Sequence, residues 1–322
     1  MKWIRRSYRL LFLLVLLCVG LLVQLLIQPW LGQGARRTLI RWWSRALMMA
    51  CGVRVVEVLH PGCGCDASGE AAAEEGAVFC RASDVAAQKT DAEEPSSRLS
   101  ISDQNGAIDQ GNELAMPMAA RQQDQGGLPG SLATLAPGRM LVANHVSWLD
   151  IFAINALAPS AFVAKAEIRR WPVVGWLVAM AGTIFIERGR RQAITAINQQ
   201  LHERLITGYP VAFFPEATTH AGPDLKPFHG NLLTPAIGEG GEIIPIGLQY
   251  TYPDGSAGEA AWFVGDTTFM QSLWAVVGAP RLIASVHVLP PISAAGWRRQ
   301  ALADELRGRI GGVLMRRADT PH

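Results

Sequence analysis

Residues 141–150 read Leu-Val-Ala-Asn-His-Val-Ser-Trp-Leu-Asp, and the way this stretch turns decides the fold. The apolar run ending at Ala143 predicts a buried strand. A helical pattern follows from Trp148, with Ser147 as its N-cap. His145 then lies in the strand-to-helix turn, at the carboxyl edge of the sheet, where open α/β sheets place their sites. Asp150 falls in the first helical turn, within side-chain reach of that turn. Two readings are open. A carboxylate on one ring nitrogen fixes the imidazole tautomer and leaves the other nitrogen to take a proton. Equally, Ser147-x-x-Asp150 is a capping-box pattern that needs no chemistry.

Outward from this turn, short apolar runs alternate with helical patterns. The expected strands are 53–58, 139–143, 161–164, 183–187, 210–215, 243–250, 260–265 and 282–289. The expected helices are 148–157, 171–181, 190–206, 229–238, 267–277 and 296–316. Strands separated by helices of this length predict an α/β fold, a mostly parallel sheet flanked by helices. Neither G-x-G-x-x-G nor a P-loop is present, so the common nucleotide fingerprints are excluded, and no G-x-S-x-G elbow exists. Nothing points to nucleic acid as a partner.

The chain has 322 residues and a net charge of +2 that hides an asymmetry. Residues 61–138 hold twelve acidic and four basic residues, so the remainder carries about +10. A basic body suits an anionic partner. The 61–138 segment has no Trp or Tyr and no sustained periodicity, and it reads as a disordered acidic insert. Three parts are therefore expected: a membrane anchor with an interfacial helix over 1–60, the insert over 61–138, and an α/β domain over 139–322.

Residues 10–27 are apolar but for Gln24, long enough for a helix to cross the hydrocarbon core and long for a cleaved signal peptide. In residues 35–51, Arg37, Arg41 and Arg45 share one helical face and Ile40, Trp43 and Leu47 another, the pattern of a helix lying along anionic headgroups. Packing on a globular core is the alternative. Cys18, Cys51, Cys63, Cys65 and Cys80 include no C-x-x-C pair, so no metal site is expected.

Other segments sharpen the reading of His145. Gly182-Thr183-Ile184-Phe185-Ile186-Glu187-Arg188 is a strand that delivers an arginine at its end. Phe214-Pro215-Glu216-Ala217-Thr218-Thr219 is an acidic strand end with two hydroxyls. Ile243-Ile244-Pro245-Ile246 is an apolar strand with a proline near its start. These four blocks, in this order, resemble those of the 1-acylglycerol-3-phosphate acyltransferase family over about residues 139–250. Asn144, His145 and Asp150 match the Asn-His-x4-Asp block in full, and the third block departs at Ala217 and Thr219.

The resemblance implies transfer of a fatty acyl group from acyl-CoA or acyl carrier protein to a lysolipid hydroxyl. His145 would be the general base, oriented by Asp150, with no covalent acyl-enzyme. Lys165, Gly182, Arg188, Glu216, Thr218 and Lys226 are the candidate substrate-binding residues, with no metal and no cofactor beyond the acyl donor. It also implies a membrane location, the inner or cytoplasmic membrane, with the site on the cytoplasmic side. The family's arginine at position 219, associated with the acceptor phosphate, is a threonine here. Either Lys226 supplies that charge or the acceptor is a lyso-aminolipid such as a lyso-ornithine lipid. A catalytically idle relative that binds lipid is the non-enzymatic alternative.

Overall fold

The computed structural model describes residues 2–27, 30–60, 131–170, 175, 178, 179, 182–186, 191–221 and 224–318. These belong to one compact unit. Its centre is a mixed sheet whose described strands are β1 (Val53–Leu59), β2 (Met140–Ala143), β3 (Ala161–Lys165), β4 (Ile184–Ile186), β5 (Val211–Phe213), β6 (Glu242–Thr251), β7 (Leu282–Val288) and β8 (Ile292–Ser293). Their order is β1-β7-β6-β2-β5-β3-β4, with β8 also on β6. All neighbours are parallel except β6 with β7 and β8, so the mostly parallel sheet expected from the alternation of elements is present. The described helices are α1 (Lys2–Leu26), α2 (Gln33–Ala50), α3 (Leu132–Leu135), α4 (Leu149–Leu157), α5 (Arg191–Ile206), α6 (Thr234–Gly238), α7 (Phe269–Gly278) and α8 (Arg299–Ala318).

The centre of the sheet is apolar on both faces because β2 feeds two cores. Leu141 and Ala143 point into a cluster shared with α2, α4 and α7, while Met140 and Val142 join one built on α6 and α8. Side chains alternate along a strand, so a strand covered on both sides needs apolar residues at every position. Pro245 is tolerated inside β6 because it falls in a gap between partners. β8 pairs as far as Ile243 and β7 begins at Ile246, while Leu289 N–H donates to the Pro245 carbonyl at 3.0 Å.

Several expectations change. Residues 260–265 form no strand: Glu259–Ala261 is a 3-10 turn leading into a loop. That loop is apolar because it packs beside the His145 turn, where Phe263 N–H donates to the Val146 carbonyl at 3.1 Å. The helix expected over 229–238 is a 3-10 turn at Gly230–Leu232 followed by α6, which Pro235 starts. The body includes residues from Ser131 on, ahead of the expected 139, because Leu132 and Ala136 are fully buried in it. Glu57 of β1 holds this segment, accepting from Ser131 Oγ at 3.0 Å and from Leu132 N–H at 2.5 Å. β1 itself lies in the sheet of the body. Residues 61–130, and most of the helix expected over 171–181, lie outside the described residues.

One described helix is long and apolar enough to cross a membrane by length and composition, Trp3–Val23 with mean hydropathy 2.0. Only 17% of it is buried, unlike the core helix of a soluble domain. Its basic amino end is docked on the body. Arg9, 7% exposed, donates to the carbonyls of Val277 at 3.2 Å and Ala279 at 2.9 Å, and Arg5 donates to Gly278 at 2.6 Å. These are the unpaired carbonyls at the end of α7, the negative end of that helix. α2 directs two of its arginines to backbone carbonyls in the same way. Arg45 donates to Ala156 at the end of α4 at 2.8 Å, and Arg37 donates to the Gly208 carbonyl at 3.3 Å and lies over the Tyr209 ring. Arg45 remains exposed, on a surface of α2 that also carries Trp42 and Met49.

Candidate active site

The turn after β2 is built around one buried carboxylate. Asp150 is fully buried, and its Oδ2 accepts from Val146 N–H at 2.7 Å, Ser147 N–H at 2.9 Å and His145 Nδ1 at 2.8 Å. Its Oδ1 accepts from the Tyr250 hydroxyl at 2.7 Å. Asp150 thus holds the histidine and also accepts from the backbone of the turn, which is half of the capping-box pattern. Ser147 is not the cap, since α4 begins at Leu149 and the buried Ser147 hydroxyl has no hydrogen-bond partner among the described residues. A carboxylate only accepts, so Nδ1 carries the proton and Nε2 is the basic nitrogen. The His145 side chain is 20% exposed and stacks on Phe214, ring centroids 4.1 Å apart and planes 7° from parallel.

Asn144 extends the ladder one step past its last backbone pair, Ala143 with Ile246. Its side chain donates to the Leu248 carbonyl at 3.0 Å and accepts from Leu248 N–H at 2.6 Å. Glu216, 3% exposed, ties two segments together. Oε1 accepts from His145 N–H at 2.7 Å and Oε2 from Lys226 N–H at 3.1 Å. Each oxygen accepts from a backbone N–H, so Glu216 braces the turn. Burial raises its pKa above the ordinary 4.5, against the lowering effect of those two N–H groups.

The loop after Glu216 takes its shape from Ala217, whose φ of 60° makes it the non-glycine residue in the left-handed region among the described residues. The family block has glycine at this position. Thr219, in place of the family's arginine, donates to the Phe263 carbonyl, and Lys226 Nζ lies 3.5 Å from the Thr219 carbonyl oxygen. The lysine ammonium therefore sits beside position 219, partly exposed. His220 N–H donates to the His145 carbonyl at 2.7 Å, which places a second histidine next to the turn.

The other candidates divide. Lys165 is exposed at the carboxyl end of β3, on the same sheet edge as His145. It stands two strands from β2, about 10 Å across the sheet. Thr218 is exposed on the loop after Glu216. Gly182 precedes β4, at its amino end and so at the opposite edge, and its φ of 83° makes it a turn residue rather than a substrate ligand. Arg188 lies outside the described residues. Among the described cysteines, Cys18 is on α1, and burial pushes the Cys51 thiol up to about 12, so neither offers a thiolate nucleophile to the site. Sequence reasoning missed Tyr250 and Phe263; their only signal was position on a strand and in an apolar run.

An acyltransferase family model matches residues 133–249. A lyso-ornithine lipid O-acyltransferase from Pseudomonas aeruginosa is 41% identical over 169 residues, which are 52% of this chain and 65% of that protein. A 1-acyl-sn-glycerol-3-phosphate acyltransferase from Neisseria gonorrhoeae is 39% identical over 183 residues, 56% of this chain and 71% of that protein. A solved structure, the 1-acyl-sn-glycerophosphate acyltransferase of Thermotoga maritima, aligns with 57% of this chain and 68% of its own at 22% identity and a TM-score of 0.42. The chain thus spans about two thirds of the length of the curated relatives it matches. A relative 39% identical along 71% of its own length leaves one conclusion: the chain belongs to the acyltransferase family that includes the 1-acyl-sn-glycerol-3-phosphate acyltransferases.

Proposed function

We propose that this chain moves a fatty acyl group from acyl-CoA or acyl carrier protein to the free hydroxyl of a lysolipid. The observation that carries the reading is the His145–Asp150 pair at the carboxyl edge of the sheet, Nδ1 held at 2.8 Å and the ring partly exposed. His145 Nε2 takes the hydroxyl proton as the acceptor oxygen attacks the thioester carbonyl carbon. The C–S bond then breaks, and the imidazolium returns the proton to the leaving thiolate. Asp150 keeps the imidazole in the required tautomer and stabilises its charged form. No covalent acyl-enzyme is needed.

The first acceptor to test is 1-acylglycerol-3-phosphate, giving phosphatidic acid. Lys226 Nζ beside the Thr219 carbonyl supports it, because a cation is present where the family's arginine is absent. Thr219 itself favours the second reading, a lyso-ornithine lipid acceptor, since a threonine brings no charge. Lys165 and Arg188 are proposed to hold anionic groups of donor or acceptor, with Thr218 as a hydroxyl partner. The location proposed is the inner or cytoplasmic membrane with the site on the cytoplasmic side, where acyl thioesters are available. Mass-detected acyl transfer by isolated membranes, offered each lysolipid with each donor, tests the reading. Product from lysophosphatidic acid alone selects the first acceptor, product from lyso-ornithine lipid alone selects the second, and no product with any pair leaves the lipid-binding alternative.

A further inference from the structure

Asp150 Oδ2 takes three donors, and all three come from its own turn, residues 145–147. Oδ1 is bound from across the sheet. Tyr250 stands on β6, 4% exposed, and its hydroxyl reaches Oδ1 at 2.7 Å. We propose that Tyr250 is a positioning residue: its hydroxyl fixes the rotation of the Asp150 carboxylate and sets how much negative charge Oδ2 presents to His145. This rests on the reading of His145 as the base.

The argument is one of geometry and charge. Turning the Asp150 carboxylate about its Cβ–Cγ bond would carry both oxygens off their donors, and Tyr250 adds to the three donors on Oδ2 a fourth from another element. A buried Oδ1 without a donor would carry an unmet acceptor in low dielectric. The Tyr250 donor also withdraws charge that would otherwise strengthen the bond to the imidazole. Burial and the adjacent Asp150 hold the Tyr250 hydroxyl well above its ordinary pKa, so it remains a donor. The other ionisable groups facing the pair come from the segment after β5. They are Glu216 on His145 N–H, Lys226 on Glu216, and His220, whose N–H meets the His145 carbonyl. None of them bonds the Asp150 side chain, so Tyr250 alone acts on that carboxylate from another element among the described residues.

The test uses the full chain in its membrane or in detergent. Tyr250→Phe keeps the ring and removes the donor. The acid limb of the kcat/KM profile is expected to move up by about one pH unit, the size of one hydrogen bond to a charged group, with KM for the lysolipid unchanged. A 3-fluorotyrosine at 250 is a more acidic donor and should move the limb the other way. It also carries the test if the phenylalanine variant does not fold. The His145 ring 15N resonances, titrated in the same proteins, report the same shifts without any turnover. Acid limbs and imidazole titrations identical to wild type in every folded variant overturn the positioning role. A wild-type protein that transfers no acyl group, yet shows the imidazole shifts, overturns the proposed function and leaves Tyr250 as stated.

Discussion

Asp150 does two things through one oxygen, and the two can be separated by substitution. Asn at 150 keeps an oxygen for the backbone N–H groups but loses the charge that supports an imidazolium. Asp150→Asn is therefore expected to lower kcat/KM by about 10³–10⁴ while the thermal midpoint changes little. Asp150→Ala should add the loss of a cap, about 1 kcal/mol in chemical denaturation. His145→Ala is expected to remove transfer in a protein that stays folded, and activity within about tenfold of wild type would remove His145 from the base role. Ala217 pays for its left-handed φ with strain that glycine does not have, so Ala217→Gly should stabilise the protein by about 1 kcal/mol in urea. Glu216 gives a pH signature. Its folded pKa is raised above 4.5, so the folded state holds this proton more tightly than the unfolded chain does. Its ionisation then costs stability that appears as pH rises through and above 4.5. Urea midpoints of Glu216→Gln measured across pH 4–7 should rise relative to wild type along that window, on top of a constant offset for the lost acceptor. A gap that does not change with pH would mean that its carboxyl titrates normally.

The helices are tied to the sheet by guanidinium groups on helix ends. Arg9 binds α7 at its last carbonyls, and α7 in turn receives Trp148 Nε1 on Ser272 Oγ at 3.1 Å, one residue before α4. The hydrophobic helix at the amino end is therefore an element of the fold. Arg9→Ala leaves two buried carbonyls without a donor and is expected to destabilise by about 3 kcal/mol in chemical denaturation. Deleting residues 1–31 should release a body that unfolds more readily, not a stable soluble enzyme. Unchanged stability of the truncated protein would show that the Arg9 bonds are replaced by water at little cost. The periodicity of α2 was legible from its residues, but not the direction in which its arginines point. A basic stripe matches both headgroup phosphates and backbone carbonyls, and only the tertiary structure shows that Arg45 reaches the end of α4 and Arg37 reaches Gly208 and the Tyr209 ring.

Across the whole molecule, the exposed apolar side chains gather on α1 and α2. Leu11, Phe12, Val15, Trp42 and Met49 are each more than 40% exposed. A surface of this kind holds a membrane by burying apolar area, which salt does not screen, whereas the Arg37 and Arg45 guanidinium groups are bonded to backbone carbonyls of the body. Full-length protein is therefore expected to stay with membranes through a high-salt wash, and release by salt would return the attachment to exposed arginines. Because Glu57 joins the ends of the described body around residues 61–130, a short Gly-Ser linker in place of those residues should keep activity, provided 131–138 remain. Loss of folding in that linker protein would show that 61–130 belong to the core.

Local sequence determined the strand-turn-helix at 139–157, the apolar helix at the amino end and the order of the α/β elements. Each of these depends on periodicity and turn chemistry within about a dozen residues. It also placed His145 and Asp150 within reach of each other, because five residues across one turn keep them close. Tertiary structure alone decided what lies far apart in the chain. Tyr250 meets Asp150 because β6 pairs with β2 in the register Ala143 to Ile246. Glu216 braces His145 because β5 ends beside β2, and an apolar run at 260–265 becomes a loop because Phe263 is bonded to Val146 and Thr219. Gly182 moved from substrate ligand to turn because strand direction sets which edge of the sheet a residue occupies. Register and strand order are settled by which faces bury one another across the sheet, and no window of local sequence contains that information.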